Sequence, residues 1–177
     1  MSEFIALELS GLSARAVPKF EDERGYFQEL SRNSKFSSIC PLMIQDNISY
    51  STGNVIRGMH FQENQWQILT VLKGSILDIT IDMSPESVTF LKPCAVELGG
   101  TGINQLILPP NVAHGFCTLS DEVILLYKSS KYYGESPQHG VAWDSEQIVD
   151  LWPKKNWVIS PRDLTFPSLN EFQKKLK

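Results

Sequence analysis

The chain has 177 residues, 42% of them hydrophobic and 20% charged, which suits one globular domain over residues 1–177 and excludes a disordered chain. Sixteen basic against twenty acidic residues leave a net charge of −4, which excludes a nucleic-acid binder that works through overall basicity. No apolar run approaches the roughly 18 to 20 residues of a membrane helix, and MSEFIALELS lacks the basic start and apolar core of a signal peptide, so a cytosolic, unanchored protein is expected.

From the N-terminus onward, short apolar alternations predict strands over 25–30, 43–51, 55–60, 67–73, 75–82, 88–98, 104–108, 116–119 and 122–128. Turn chemistry separates them: SerThrGlyAsn, LysGly, SerProGluSer, GlyGlyThrGly, ProProAsn and SerAsp. Many short strands joined by Gly and Pro turns imply an all-β sandwich or barrel. A short helix is expected near 33–39. A C-terminal helix is signalled by Ser168 and Glu171 at capping-box spacing, followed by the stripe Leu169, Phe172 and Leu176.

Within 75–82, Leu77, Ile79 and Ile81 share one face and Ile76, Asp78, Thr80 and Asp82 the other. Either the second face is wet, or it lines the inside of a closed barrel. Cys40, Cys94 and Cys117 are far apart, with no CxxC, and read as reduced, packed thiols.

There are three histidines. His60 lies in ValIleArgGlyMetHisPheGln. Strict alternation puts Arg57 and His60 on opposite faces, but a bulge at Gly58 would turn them to the same side. Such a pair suits an anionic substrate and proton transfer; a histidine hydrogen-bonded in a half-buried strand explains the segment equally well. His139, in a GlnHisGlyVal turn, is assigned no role.

His114, in LeuProProAsnValAlaHisGlyPhe, resembles the second motif of the cupin superfamily. The first motif would be Met59-His60-Phe61-Gln62, without the second histidine of metal-binding cupins. Two histidines without a third ligand make a poor metal site, so a metal-free barrel is expected.

A more specific resemblance rests on eight motifs in order. They are AspGluArgGlyTyrPheGlnGlu (22–29), GlnAspAsnIleSerTyrSer (45–51), ArgGlyMetHisPheGln (57–62), LeuProProAsnValAlaHisGlyPhe (108–116), TyrLysSerSerLysTyrTyr (127–133), GlyValAlaTrpAsp (140–144), TrpPro (152–153) and SerProArgAsp (160–163). Together they resemble the dTDP-4-dehydrorhamnose 3,5-epimerase family, from about Pro18 to Leu169. The resemblance implies a cupin-type jelly-roll barrel and a nucleotide-linked 4-keto-6-deoxyhexose, dTDP-linked, inverted at C3, C5 or both without a cofactor. It implies His60 as base, Asp163 as the carboxylate that orients it, and Tyr127 as the acid on the other face. It further implies substrate contacts from Arg24, Phe27, Glu29, Gln45, Asn47, Arg57, Gln67, Asp78, His114 and Tyr133. The segment from Arg24 to Glu29 would reach a partner subunit's site in a homodimer. Core packing is the alternative for Phe27, and for Tyr127, which shares a face with Val123 and Leu125.

Two departures bear on the chemistry. Gln67 stands where the family carries a lysine, and Ser84 where it carries an arginine; the loop at 63–66 is short. A glutamine amide donates a hydrogen bond without charge, so it stabilises an enolate less well. Three functions are therefore weighed: an epimerase, a cupin that binds a nucleotide sugar without turnover, and a 3,4-ketoisomerase. The last carries more histidines in its first motif. A strong chelator is expected to leave turnover unchanged; activity lost to chelation and restored by a metal ion would count against the metal-free reading.

Overall fold

The computed structural model describes residues 4–100, 102–135 and 137–175. Its strands are β1 (Ile5–Ala6), β2 (Ser13–Arg15), β3 (Phe20–Asp22), β4 (Gly25–Phe27), β5 (Gln45–Thr52), β6 (Ile56–Phe61) and β7 (Gln67–Lys73). They continue with β8 (Ser75–Asp82), β9 (Pro93–Gly99), β10 (Gln105–Leu108), β11 (Val112–Thr118), β12 (Glu122–Ser129) and β13 (His139–Gly140). The helices are α1 (Asn33–Phe36) and α2 (Leu169–Lys175), with single 3-10 turns at Val149–Leu151 and Asp163–Thr165.

Two antiparallel sheets make the expected jelly roll, one ordered β1-β2-β10-β7-β12-β5 and the other β13-β6-β11-β8-β9; β3 and β4 form a separate hairpin. Between the sheets, Leu69, Val71, Leu106 and Leu125 meet Ile76, Leu98, Val112 and Phe116. The outer face of the second sheet is also buried. Ile56, Met59, Ile79, Ile81 and Cys117 pack under Val141, Ile148, Trp152 and Leu169. Ile68 and Ile107, on the outside of the first sheet, lie under Phe36 and Cys40. Each such side chain contributes about 1.5–3 kcal/mol on full burial, so the chain after β12 adds a second core rather than a loose tail.

That covering layer decides between the two readings of β8. Neither face of β8 is wet: its apolar face is roofed by the C-terminal segment, and Asp78, Thr80 and Asp82 are buried. The polar face looks into the barrel. Strand ends also differ from the sequence reading. The predicted strand at 88–98 starts only at Pro93, because Ser87, Phe90 and Lys92 each donate a backbone bond three residues back. β11 starts four residues early, directly after a turn in which Asn111 has φ 59°. β4 ends at Phe27, and α1 at Phe36. The strands β1, β2, β3 and β13 are two or three residues long, too short for a period to register. In α2 the capping box is present: Ser168 donates to Glu171 at 2.9 Å and the Glu171 N–H donates back at 3.3 Å. Leu169 and Phe172 pack as the stripe requires, and Leu176 lies outside the described residues.

The bulge expected at Gly58 is present. His114 pairs with His60 and Phe116 with Arg57, so three steps on β6 match two on β11. Gly58 has φ 123°, and a Cβ there would stand 2.5 Å from Gly115 Cα. Gly115 is equally confined, with Arg57 O 2.9 Å from its own missing Cβ. Gly58→Ala is therefore expected to cost about 3 kcal/mol or more in urea unfolding. Gly25→Ala, at φ 127° with open space around it, should cost only its backbone strain, about 1 kcal/mol.

Candidate active site

A cleft of about 980 Å³ opens into the barrel. Of the thirteen residues singled out from sequence, nine line it: His60, Tyr127, Asp163, Gln45, Asn47, Arg57, Gln67, His114 and Tyr133. They come from both sheets and from the covering C-terminal segment.

The bulge turns Arg57 and His60 into the same cleft. His60 Nε2 lies 2.8 Å from Asp163 Oδ1. The other oxygen, Oδ2, accepts the Gly58 N–H at 3.1 Å. One carboxylate thus binds the bulge and the imidazole together. Asp163 is itself seated by its N–H donating to Ser160 Oγ, at the start of the 3-10 turn. Burial by itself would push its pKa up. The hydrogen bonds from His60 and Gly58 outweigh that and hold it below the usual carboxylate value. With Nε2–H donated to a carboxylate, a neutral His60 carries its free lone pair on Nδ1. The edge of the ring rests on Phe166, centroids 5.5 Å apart.

Tyr127 comes from the opposite sheet. Its hydroxyl lies 3.2 Å from Ser49 Oγ. Burial pushes its pKa up to about 12, against smaller opposing effects of Ser49 and Arg57. The ring packs on the inter-sheet core and the residue also lines the cleft.

His114 and Asp78 form a second imidazole–carboxylate pair, Nδ1 to Oδ2 at 3.2 Å. Asp78 does not line the cleft; it stands behind His114, fully buried, and burial raises its pKa. Arg57 donates to Ser51 Oγ and to the Tyr50 carbonyl. Gln67 donates to Gln62 Oε1 at 3.4 Å, and Gln45 accepts the Tyr133 N–H at 2.8 Å.

Arg24, Phe27 and Glu29 stand outside the cleft of their own chain. Arg24 pairs with Asp22, Glu29 with Arg32 and Lys35, and Phe27 is 72% exposed, so core packing does not explain it. Their hairpin is fixed at its root. Leu30 O accepts bonds from buried Arg15 and Gln105, each at 3.1 Å, and Gln28 donates to Val17 O.

The cleft also holds residues that the sequence reading passed over: Ser49, Gln62, Gln65, Ser129, Lys131 and Arg162. Ser129 shares the parity of Tyr127 on β12, so strand alternation could have found it, whereas Lys131 lies beyond the strand's end. Gln65 sits in a loop, where no period exists. Among the described residues no cluster of three or more His, Cys, Asp or Glu could hold a metal ion. No helix of the described residues is long and apolar enough to cross a membrane.

Because folding raises the Tyr127 pKa above that of a free phenol, its contribution to stability is complete below about pH 10 and lost as pH rises towards 12. Alkaline urea titration should show the wild type losing stability relative to Tyr127→Phe in that window. An absorbance titration that finds every tyrosine ionising near pH 10 would contradict it.

The family described as dTDP-4-dehydrorhamnose 3,5-epimerase matches residues 6–171. The dTDP-4-dehydrorhamnose 3,5-epimerase of Escherichia coli K12 is 36% identical over 159 residues, 86% of each chain. A dTDP-4-dehydrorhamnose 3-epimerase of Streptomyces niveus is 33% identical over 149 residues, 80% of this chain and 72% of that one. The crystal structure of dTDP-6-deoxy-D-glucose-3,5-epimerase from Legionella pneumophila, in complex with dTDP-4-keto-L-rhamnose, superposes with a TM-score of 0.90. It is 30% identical, covering 99% of this chain and 97% of that one.

Proposed function

The chain belongs to the dTDP-4-dehydrorhamnose 3,5-epimerase family, and from that premise we propose that it is an isomerase of a dTDP-linked 4-keto-6-deoxyhexose, working as one epimerase domain. The observation that carries the mechanism is that His60, on β6, and Tyr127, on β12, line one cleft from opposite sheets. A ring carbon held between them meets a base on one side and an acid on the other.

In this reading His60 Nδ1 removes the proton from the carbon beside the ketone. The C–H pair becomes the enolate double bond, and the carbonyl pair moves to oxygen. Asp163 holds the imidazole in the required tautomer and stabilises the imidazolium that forms. Tyr127 returns a proton to the opposite face. Its raised pKa keeps the phenol protonated at any working pH, so the acid is always loaded. Solvent then reprotonates Tyr127 and deprotonates His60, which is why exchange with water reports the chemistry.

Arg57, with its fixed fork of donors, suits the diphosphate. Gln45, Asn47 and Tyr133 suit the rest of the nucleotide sugar along the cleft. The bulge and the Asp163 clamp favour turnover over mere binding, because a binder has no need of an oriented imidazole opposite a neutral phenol.

A homodimer follows from the same reading. The hairpin of β3 and β4 exposes Phe20, Tyr26 and Phe27 at 63%, 55% and 72%, an apolar cluster that water does not favour. Seated against a second copy, it would carry Arg24, Phe27 and Glu29 to the partner's cleft. Light scattering should then give twice the 20.0 kDa chain mass, and a monomer would remove the hairpin from the site.

Incubation in D₂O with dTDP-4-keto-6-deoxyglucose, followed by NMR, tests the function. Exchange at C3 and C5 is the expected result for a 3,5-epimerase; exchange at one carbon makes it a mono-epimerase; none at either defeats the proposal. His60→Ala should lower exchange about 10²- to 10⁴-fold with affinity retained. Tyr127→Phe should exchange without forming the inverted product.

A further inference from the structure

The mechanism above leaves the enolate oxygen without a charged partner. Three permanently cationic side chains line the cleft: Arg57, Lys131 and Arg162. Arg57 is engaged by Ser51 and the Tyr50 carbonyl. Arg162 donates to Gln138, and its guanidinium lies 5.9 Å from the Phe166 ring centroid. Lys131 has no hydrogen bond or ion pair among the described residues. The one carboxylate lining the cleft among those residues is Asp163, and it is committed to His60 and Gly58.

Strand register puts Arg57 and Lys131 towards opposite ends. Ser51, which holds Arg57, pairs with Val123; Asn47 pairs with Tyr127; Gln45 pairs with Ser129, which pairs in turn with Gln67. From Ser51 to Gln45 is six residues of β5, or about 20 Å of strand. Tyr127 lies between the two ends. Lys131 follows Ser129 by two residues, so it stands at the Gln67 end, about 20 Å from the Arg57 end. The cleft lining towards that end includes Gln45, Gln62, Gln65, Gln67 and Ser129, and Glu135, which accepts the Tyr132 N–H, lies close to Lys131 in the chain. A diphosphate engaged by Arg57 lies towards the end away from Lys131. The hexose, held between His60 and Tyr127, lies nearer the amide end.

We propose that the Lys131 ammonium supplies the positive charge that stabilises the enolate oxygen, with the Gln67 amide as a neutral second donor. The proposal rests on the epimerase reading. The substrate proton still passes to His60 Nδ1; Lys131 transfers none, and its N–H only strengthens its hydrogen bond as the oxygen gains charge. A charged donor is about twice as strong as a neutral one. A long, flexible and unpaired lysine can follow the oxygen whether C3 or C5 is deprotonated, because both enolates share the same oxygen.

The test compares wild type, Lys131→Gln, Lys131→Arg and the double variant Lys131→Gln with Gln67→Lys. Lys131 is exposed, so these changes should leave the fold intact. The readouts are kcat, KM and solvent exchange with dTDP-4-keto-6-deoxyglucose, and the Kd for dTDP by calorimetry. Lys131→Gln should lower kcat and exchange about tenfold or more, with dTDP affinity unchanged. Lys131→Arg should recover most of the loss, and so should returning the charge at position 67. A raised KM with kcat intact, or weakened dTDP binding, would make Lys131 a phosphate contact and overturn the proposal; so would an unchanged kcat. Wild-type exchange is read first. If it is absent, the epimerase reading fails; if it is present and Lys131→Gln keeps full kcat, only the present inference fails.

Discussion

The structure turns on the close approach of two glycines. Gly58 and Gly115 bring the backbones of β6 and β11 nearer than any side chain would allow. The extra residue that this contact accommodates on β6 reverses the strand's alternation, which is why Arg57 and His60 face one cleft. The same bulge presents the Gly58 N–H to Asp163, whose other oxygen takes the imidazole. Disturbing that contact would displace His60, Asp163 and Arg57 together.

Two imidazole–carboxylate pairs in one barrel show how environment separates their properties. Asp163 accepts from His60 and from a backbone N–H, and these bonds overcome its burial. Asp78 is sealed behind His114, and its Oδ1 has no partner among the described residues, so burial wins and its pKa rises. The first pair keeps a carboxylate charged beside the cleft, where it can stabilise an imidazolium. The second suits a fixed, inward-looking support for His114. Tyr127 completes the contrast: a mainly apolar setting keeps it a phenol, so an acid and a base can face each other without exchanging protons at rest.

The cleft's charge is uneven along its length. Arg57 marks one end, amides and a single lysine the other, with Tyr127 between them along the strands. That polarity orders an anionic, elongated ligand before any specific contact is made. On the proposal above, Lys131 carries the charge that Gln67 lacks.

By itself, the sequence determined the strand-rich class, most strand positions from Gln67 to Ser129, the C-terminal capping box and nine residues that line the cleft. These are local or periodic signals: alternation, Gly and Pro turns, and motifs a few residues long. Tertiary structure decided the rest. It decided that β8 has no wet face, because residues far along the chain fold back over Ile79 and Ile81. It brought Asp163 to His60 across 103 residues, and it left Arg24, Phe27 and Glu29 outside their own chain's cleft. It also brought Lys131 and four glutamines to one end of the cavity, through the pairing of Ser129 with Gln67. Register between distant strands has no signature in either strand alone. It exists only once both sheets have closed around a common core.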